Sequence, residues 1–563
     1  MKNSVKKPIT GVVYLPKERS EYYSREGVLG QVPLVTALRE AFKKYPSNVA
    51  ISTLESSITY RELDEKTDRL AFSFHNMGLK AHDRVVFQLP NIIETIICFI
   101  GCLKADLIPV CTLQAHRQAE IGYLANHAKA KAHIIVSDET KFDYLAFAKE
   151  MQKKVSSLEH IIVAVGKAPV GTSGLNELIR NAPIQSAKKF VESVKLDPWQ
   201  VAMFQLSGGT SGIPKIIPRF SNEYLYQIER VIERITICEK DKLLLPTPVL
   251  HNSNLGQVIL PAFIQGAQVL LNRTVTPQIF FKNLIFKRPT IMGVAGPLLE
   301  KFKSLGFTKK FRLTPKGILG WYLLKPIRFL LSMNLAEQSE NVLNIKGGNI
   351  YGMTEGLITL PSDKDEREVR FHTQGYPLSE YDEVKIVKPG TEEQVKLGEV
   401  GELIVRGPYT VHGYFDAEER NEEAFTSDGF YKTGDLLKEI KHKGKLYYRF
   451  EGRTKDVIDR GAEKINAEEV ENFVRRHEAI SDVAIVAYPC PDFGERACAC
   501  IIINNQQAPD IKTLGVFLET QGLAKYKWPE RIEIYEEYPI TSSGKLSKPL
   551  LREDVAKRVN KTT

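Results

Sequence analysis

The sequence has no long apolar run. Its longest candidate, Thr95 to Leu103, falls far short of the roughly 20 apolar residues that a membrane-crossing helix needs. No apolar stretch follows Met1-Lys-Asn-Ser-Val-Lys-Lys7, so no secretory signal is expected and a soluble cytoplasmic protein is the default. Cysteine is sparse and odd in number: Cys98, Cys102, Cys111, Cys238, Cys490, Cys498 and Cys500 show neither zinc spacing nor a secreted disulfide framework. Reduced, mostly buried thiols are expected. Internal repeats and low-complexity tracts are missing, as are a groove-reading motif and a basic stripe interleaved with aromatics. The net charge of +9, from 77 Lys and Arg against 68 Asp and Glu, is therefore not read as nucleic-acid binding. It suits an anionic nucleotide or an acidic protein partner.

What is present is a globular composition too long, at 563 residues, for one hydrophobic core. Short apolar runs such as Val85–Leu89, Ala132–Val136, His160–Ala164 and Thr290–Val294 alternate with helix-length amphipathic segments. That rhythm predicts parallel α/β layers, because strands covered on both faces read as continuous apolar runs. After about residue 380 the strands become closely spaced (Glu383–Val387, Gly401–Arg406, Leu446–Phe450) and predict a more antiparallel region. A small α+β unit follows, with its boundary in the polar stretch Glu451–Lys455. The expected domains are therefore 1–451 and 452–563.

Residues Ser207-Gly-Gly-Thr-Ser-Gly-Ile-Pro-Lys215 follow the apolar stretch Val201–Leu206. Glycines let successive backbone N–H groups converge on an anion, the hydroxyls of Ser207, Thr210 and Ser211 add donors, and Lys215 adds positive charge. The spacing is not that of a P-loop, whose lysine directly follows a glycine and precedes Ser or Thr. In isolation such a cluster is most often a solvated loop. Its company decides otherwise.

Downstream stand Tyr351-Gly-Met-Thr-Glu-Gly356, Tyr431-Lys-Thr-Gly-Asp435, Glu451-Gly-Arg-Thr-Lys-Asp456, Arg460-Gly-Ala-Glu-Lys464 and Ser543-Gly-Lys545. In this order they resemble the adenylate-forming superfamily of acyl- and aryl-CoA ligases, nonribosomal peptide adenylation domains and luciferases. The resemblance runs from Ile58-Thr-Tyr-Arg-Glu-Leu63 onward. It implies a large N-terminal domain of two α/β layers plus a distorted β-barrel, and a small, mobile α+β C-terminal domain. It also implies ATP and Mg²⁺, with a phosphopantetheine thiol on a carrier protein or CoA as acceptor.

Site roles come from the same resemblance. Ser207, Gly208, Gly209, Thr210, Ser211, Gly212 and Lys215 would wrap the β- and γ-phosphates. Gly348, Asn349 and Tyr351 would line the nucleotide site, with the Tyr351 ring offered to adenine. Thr354 matches an α-phosphate donor and Glu355 the magnesium ligand, a hard oxygen donor of the kind Mg²⁺ prefers. Asp435 matches the carboxylate that accepts both ribose hydroxyls, Arg453 a ribose or phosphate contact, and Lys455 the hinge. Lys545 matches the catalytic lysine whose ammonium bridges the incoming carboxylate and the α-phosphate, two anions that otherwise repel. By residue type alone, Asp435 reads as a turn aspartate and the linker cations as solvated.

The acid is read from His251-Asn252, after Pro246-Thr-Pro-Val-Leu250. This resembles the subgroup that activates 2,3-dihydroxybenzoate or salicylate for siderophore synthesis, and implies that Asn252 hydrogen-bonds an ortho hydroxyl. Thr373–Pro377, Tyr381-Asp382, Arg406–Thr410, Ile465–Val470 and Ala524–Lys527 match the same subgroup. The chain departs from it in Ser253-Asn254-Leu255 after His-Asn, in Ser332-Met333-Asn334 where a Gly-Gly-Ala loop is usual, and in Ala462 where a second glycine is usual. Ser332 thus joins His251 and Asn252 as a candidate acid contact, and His251 and Thr354 stand with Lys545 as candidate catalytic residues. The apolar segment 317–331 reads as a buried helix leading into a strand, with a partner or membrane-surface patch as the alternative. The reading is an aryl-acid:AMP ligase serving a carrier protein. The alternatives are a CoA ligase for another aromatic or medium-chain acid, and a catalytically silent adenylate-binding scaffold.

Overall fold

The computed structural model describes every residue except 1–3, 208–213, 245–247, 275, 295–327, 332–335, 338–339, 341–346, 461–462, 491–493, 505–506, 522, 524, 542–544 and 563. Gly208, Gly209, Thr210, Ser211, Gly212, Ser332 and Ala462 therefore lie outside the described residues, as does most of the apolar segment 317–331. The chain divides into two compact units, Met1–Glu383 with Val405–Tyr431, and Val384–Ile404 with Lys432–Thr563. The expected boundary at residue 451 falls inside the second unit. There the strands Tyr431–His442 and Lys445–Arg453 form one antiparallel hairpin that pairs Asp435 with Arg453.

The first unit holds two seven-stranded sheets. One runs Ser173–Gly174, His160–Val165, Ala132–Val136, Arg84–Gln88, Ile108–Val110, Val201–Ser207, Lys215–Phe220, and is parallel except for its last pair. The other runs Gly347–Asn349, Arg328–Leu331, Ile291–Val294, Lys242–Leu244, Gln268–Leu270, Val49–Ser52, Ser57–Thr59, again parallel up to its last pair. The four apolar runs that set the α/β rhythm, Val85–Leu89, Ala132–Val136, His160–Ala164 and Thr290–Val294, each coincide with a strand to within a residue or two, whereas Thr95–Leu103 lies in a helix. A single core joins the two sheets, with Val85, Ile134 and Ile162 from one and Leu243, Val269 and Ile291 from the other.

Helices fill the space between. Ile93–Lys104 is apolar all round and buried at every position except Glu94, as a helix enclosed on all faces must be. Its one buried charge is satisfied, since Lys104 Nζ donates to the carboxylates of Asp64 (2.5 Å) and Asp68 (2.6 Å). Both belong to the helix Tyr60–Asn76, whose start is set by the Thr59-x-x-Glu62 box. There Glu62 N–H donates to Thr59 Oγ1 and Thr59 N–H to Glu62 Oε2 (2.7 Å).

The second unit is built on antiparallel strands. The sheet of Glu383–Val387, Val400–Arg406, Tyr431–His442 and Lys445–Arg453 follows chain order. A five-stranded sheet is centred on the hairpin Ile480–Cys490 with Gly494–Ile503. Alternate residues of that hairpin face opposite ways: Ile485 and Ala499 pack with the helices Ala467–Val474 and Ile511–Thr520, while Val486 and Cys498 pack with Lys548–Thr562. Six of the seven cysteines are buried and all seven are unbridged, as expected. No helix among the described residues is long and apolar enough to cross a membrane.

Candidate active site

The glycine-rich loop joins two paired strands, and the register sets Ser207 opposite Lys215. Ser207 Oγ is enclosed without a hydrogen-bond partner among the described residues. Lys215 Nζ lies 3.2 Å from the Tyr414 hydroxyl and 4.5 Å from the centre of its ring. Desolvation pulls the Lys215 pKa below the ordinary lysine value, with Glu355 opposing and Arg420 reinforcing the shift. The same Tyr414 hydroxyl donates to Glu355 Oε1 (3.0 Å) and lies 3.0 Å from the Tyr431 hydroxyl. One phenol therefore connects a half-buried ammonium to a carboxylate that is only 6% exposed.

Local geometry explains why Glu355 sits there. The strands Tyr351–Met353 and Gly356–Leu360 are antiparallel neighbours, so Thr354 and Glu355 form the two-residue turn between them. Gly356 adopts φ +148°, and a Cβ at this position would lie 2.6 Å from Thr410 Cα. Only glycine fits. From behind, the fully buried Arg219 donates through Nη1 to the Thr354 carbonyl (2.7 Å), through Nε to Glu223 Oε1 (2.8 Å), and through Nη2 to Gln227 Oε1 (2.8 Å). Burial pushes the Glu223 carboxyl up and Arg219 pulls it back. Tyr351 is 3% exposed at the start of its strand. Gly348 and Asn349 are buried in the edge strand Gly347–Asn349, where the Asn349 amide accepts from Ala336 N–H (2.9 Å) and donates to the Phe371 carbonyl (2.8 Å).

His251 caps the short helix Asn252–Asn254, which runs directly into the π-helical turn Leu255–Ile259. Its Nδ1 accepts from Ser253 N–H and lies 2.7 Å from Ser253 Oγ, which places the ring proton of the neutral imidazole on Nε2. Asn252 is 4% exposed and its Oδ1 accepts from the Tyr224 hydroxyl (2.8 Å).

In the second unit Asp435 and Arg453 face each other across the hairpin, with Arg453 Nε 3.1 Å from Asp435 Oδ1. Asp435 follows Gly434, which takes φ +70°. Lys455 follows in the 3₁₀ turn Thr454–Asp456; desolvation first, then Arg453, lowers its pKa. Lys545 is exposed, and its carbonyl accepts from Thr541 N–H (2.7 Å) where the chain doubles back. Desolvation and the repulsion of Arg453 pull its ammonium below the ordinary lysine value while Asp435 pulls it up. The structure thus brings Lys215, Thr354 and Glu355 together in one unit, and Asp435, Arg453 and Lys545 in the other.

Tyr414, Arg219 and Tyr224 were not singled out in the sequence. The available signal was Arg219-x-x-x-Glu223, an i,i+4 ion pair at a strand-to-helix junction. Tyr414 had none, because its partners lie far away in the chain.

Comparison with known proteins gives the family. Residues 38–415 match the AMP-binding enzyme model and residues 469–545 the model of the AMP-binding enzyme C-terminal domain. The chain is 35% identical over 552 residues to the 2,3-dihydroxybenzoate-AMP ligase of Bacillus subtilis (strain 168), covering 98% of this chain and 99% of that one. It is 32% identical to a salicylyl-CoA synthase / salicylate adenylyltransferase of a Streptomyces species, covering 97% and 98%. An apo structure of Mycobacterium smegmatis MbtA superposes with a TM-score of 0.71 at 30% identity, covering 96% and 98% of the two chains. The chain belongs to the AMP-binding enzyme family.

Proposed function

We propose that this AMP-forming acid ligase activates an aryl acid carrying an ortho hydroxyl, of the 2,3-dihydroxybenzoate or salicylate kind, and passes the aryl group to the phosphopantetheine thiol of a carrier protein. The observation that carries the reading is the buried Asn252 amide beside His251. Its Oδ1 is taken by the Tyr224 hydroxyl, which leaves Nδ2, without a partner among the described residues, to donate to an oxygen of the acid. Relatives along the whole chain that are named for these two acids support it.

In the first half-reaction a carboxylate oxygen attacks the α-phosphorus of ATP, the bond to the β-phosphate oxygen breaks, and pyrophosphate leaves. Lys215 and the Ser207–Gly212 loop would hold the leaving phosphates, and Thr354 would donate to the α-phosphate. Lys545 would cancel the repulsion between the two anions as the bond forms. Asp435 and Arg453 would hold the ribose, and Lys455 would act as the hinge of the segment 452–563. The donor set suits Mg²⁺: Glu355 is a single hard carboxylate with Oε1 oriented by Tyr414, and Mg²⁺ is commonly held by one or two carboxylates together with phosphate oxygens and water. Bound there, the ion would neutralise charge on the departing pyrophosphate. In the second half-reaction the thiol sulfur attacks the acyl carbon and AMP departs with the bonding electrons. A CoA thiol is the alternative acceptor, supported by the salicylyl-CoA synthase relative.

Mass spectrometry of a reaction with salicylate, ATP and Mg²⁺ tests the first step through salicyl-AMP. Adding a phosphopantetheinylated aryl carrier protein or CoA in parallel then tests the acceptor. Thioester on CoA alone would replace the carrier assignment.

A further inference from the structure

Asn252 is an amide, and an amide can present either a donor or an acceptor to a ligand. Which one it presents decides what the acid must carry. The choice is made by a side chain outside the expected site. Tyr224 is fully buried in the helix Ser221–Ile235, and its hydroxyl has one hydrogen-bond partner among the described residues, Asn252 Oδ1 at 2.8 Å. Desolvation holds the phenol well above its ordinary pKa, so the group keeps its proton and needs an acceptor. Were the amide turned round, its NH₂ would face the phenol and the phenolic proton would be left enclosed with nothing to accept it.

Two further features lock the phenol. The Arg219 guanidinium, itself tied to Glu223 and Gln227, lies 4.9 Å from the centre of the Tyr224 ring. Gly256 of the π-helical turn abuts the hydroxyl: a Cβ there would sit 2.7 Å from Tyr224 Oη and 2.6 Å from Gln227 Nε2. The glycine makes room for the hydroxyl. Asn252 Nδ2, by contrast, has no partner among the described residues and is not one of the fully enclosed polar atoms.

We infer that Tyr224 is a specificity-determining positioning residue: by holding Asn252 Oδ1 it makes the amide a donor toward the acid, so that the pocket selects an ortho acceptor and rejects an ortho amine. The inference rests on the proposed aryl-acid reading. In salicylate the phenolic hydrogen is drawn to the neighbouring carboxylate, which leaves oxygen lone pairs for Asn252 Nδ2. In anthranilate one amine hydrogen goes to the carboxylate and the second points at that same donor, while the nitrogen lone pair is delocalised into the ring. The pocket therefore tells apart two groups of nearly equal size by hydrogen-bond polarity alone.

The experiment is acid-dependent ATP–pyrophosphate exchange with salicylate, anthranilate and benzoate, on the full-length chain and on Tyr224→Phe and Asn252→Leu. The native protein should prefer salicylate to anthranilate in kcat/KM by about tenfold or more, the loss expected when a buried donor meets a donor. Tyr224→Phe frees the amide to turn, so the salicylate-to-anthranilate ratio should fall by about tenfold while the KM for ATP and the rate with benzoate hold. Asn252→Leu should remove the advantage of salicylate over benzoate. A purely structural role for Tyr224 would weaken all three acids alike, and a folded Tyr224→Phe protein with the native ratio would overturn the inference. Should that variant fail to fold, the native comparison still decides, because equal use of anthranilate and salicylate contradicts a donor-presenting Asn252. Absence of exchange with salicylate, with exchange on an unrelated acid, is a different outcome: it removes the aryl-acid reading and this inference with it.

Discussion

Tyr414 and Arg219 do at residue scale what the motif residues cannot do alone. A carboxylate and an ammonium placed in a half-buried site would collapse onto each other or be pulled apart by solvent. The Tyr414 hydroxyl is shared by Lys215 Nζ and Glu355 Oε1, so one oxygen bridges the two charges. Arg219 fixes the turn that carries Glu355, and its cost is buried charge. Replacing it with methionine strands Glu223 in the interior, so Arg219→Met should lose about 3–5 kcal/mol in denaturant unfolding; a loss under 1 kcal/mol would show the pair to be dispensable. Lys545 is of another kind: the residue is exposed overall, yet desolvation and Arg453 hold its ammonium below the ordinary lysine value, so Lys545→Ala should not reduce stability, should leave ATP binding unchanged and should abolish adenylate formation. Unchanged pyrophosphate exchange in that variant would remove the catalytic assignment.

At the scale of elements, the candidate residues sit on strand pairs: in the first unit Ser207 and Lys215 end the pair Val201–Ser207 with Lys215–Phe220, and Glu355 lies in the turn between Tyr351–Met353 and Gly356–Leu360; in the second unit Asp435 and Arg453 pair at the open end of Tyr431–His442 with Lys445–Arg453. Gly356 is a tight joint beside the Glu355 turn. Gly356→Ala combines a disfavoured φ with a clash against Thr410, so it should cost at least about 1–3 kcal/mol and shift the KM for Mg-ATP; native-like unfolding and kinetics would contradict the close approach. These strands were legible in the sequence because buried parallel strands leave unbroken apolar runs, as in Ala132–Val136. The turns were legible because glycine and a charged residue at a strand end have few other uses. Tyr224 and Tyr414 were not, since the sequence around a tyrosine reveals nothing of a partner 28 or 199 positions away, and the local Arg219–Glu223 pair gives no hint that Arg219 also reaches the Thr354 carbonyl 135 positions on. The place of Arg453 was half legible: its motif was clear, but its pairing with Asp435 depends on a hairpin register that includes an irregularity at Leu436/Leu437.

For the whole molecule, stability and chemistry respond to pH through buried carboxyls as well as site lysines. Asp382 is enclosed, accepts from the Tyr409 hydroxyl and Ser379 N–H, and is pushed up to about 7 from 3.8, chiefly by desolvation. Between those values the unfolded chain has released this proton and the folded chain retains it, so this group lowers stability as pH rises from about 4 to 7. Asp382→Asn removes the titration. Its melting temperature, compared with that of the native protein, should gain steadily across that window, whereas parallel curves would show that Asp382 ionises normally. The central claim concerns the acid, and acid-dependent ATP–pyrophosphate exchange at saturating Mg²⁺ tests it most directly, across hydroxylated benzoates, benzoate, fatty acids and amino acids. Exchange that is strongest with salicylate or 2,3-dihydroxybenzoate is the predicted result. Exchange confined to fatty or amino acids, or none with any acid, would contradict it.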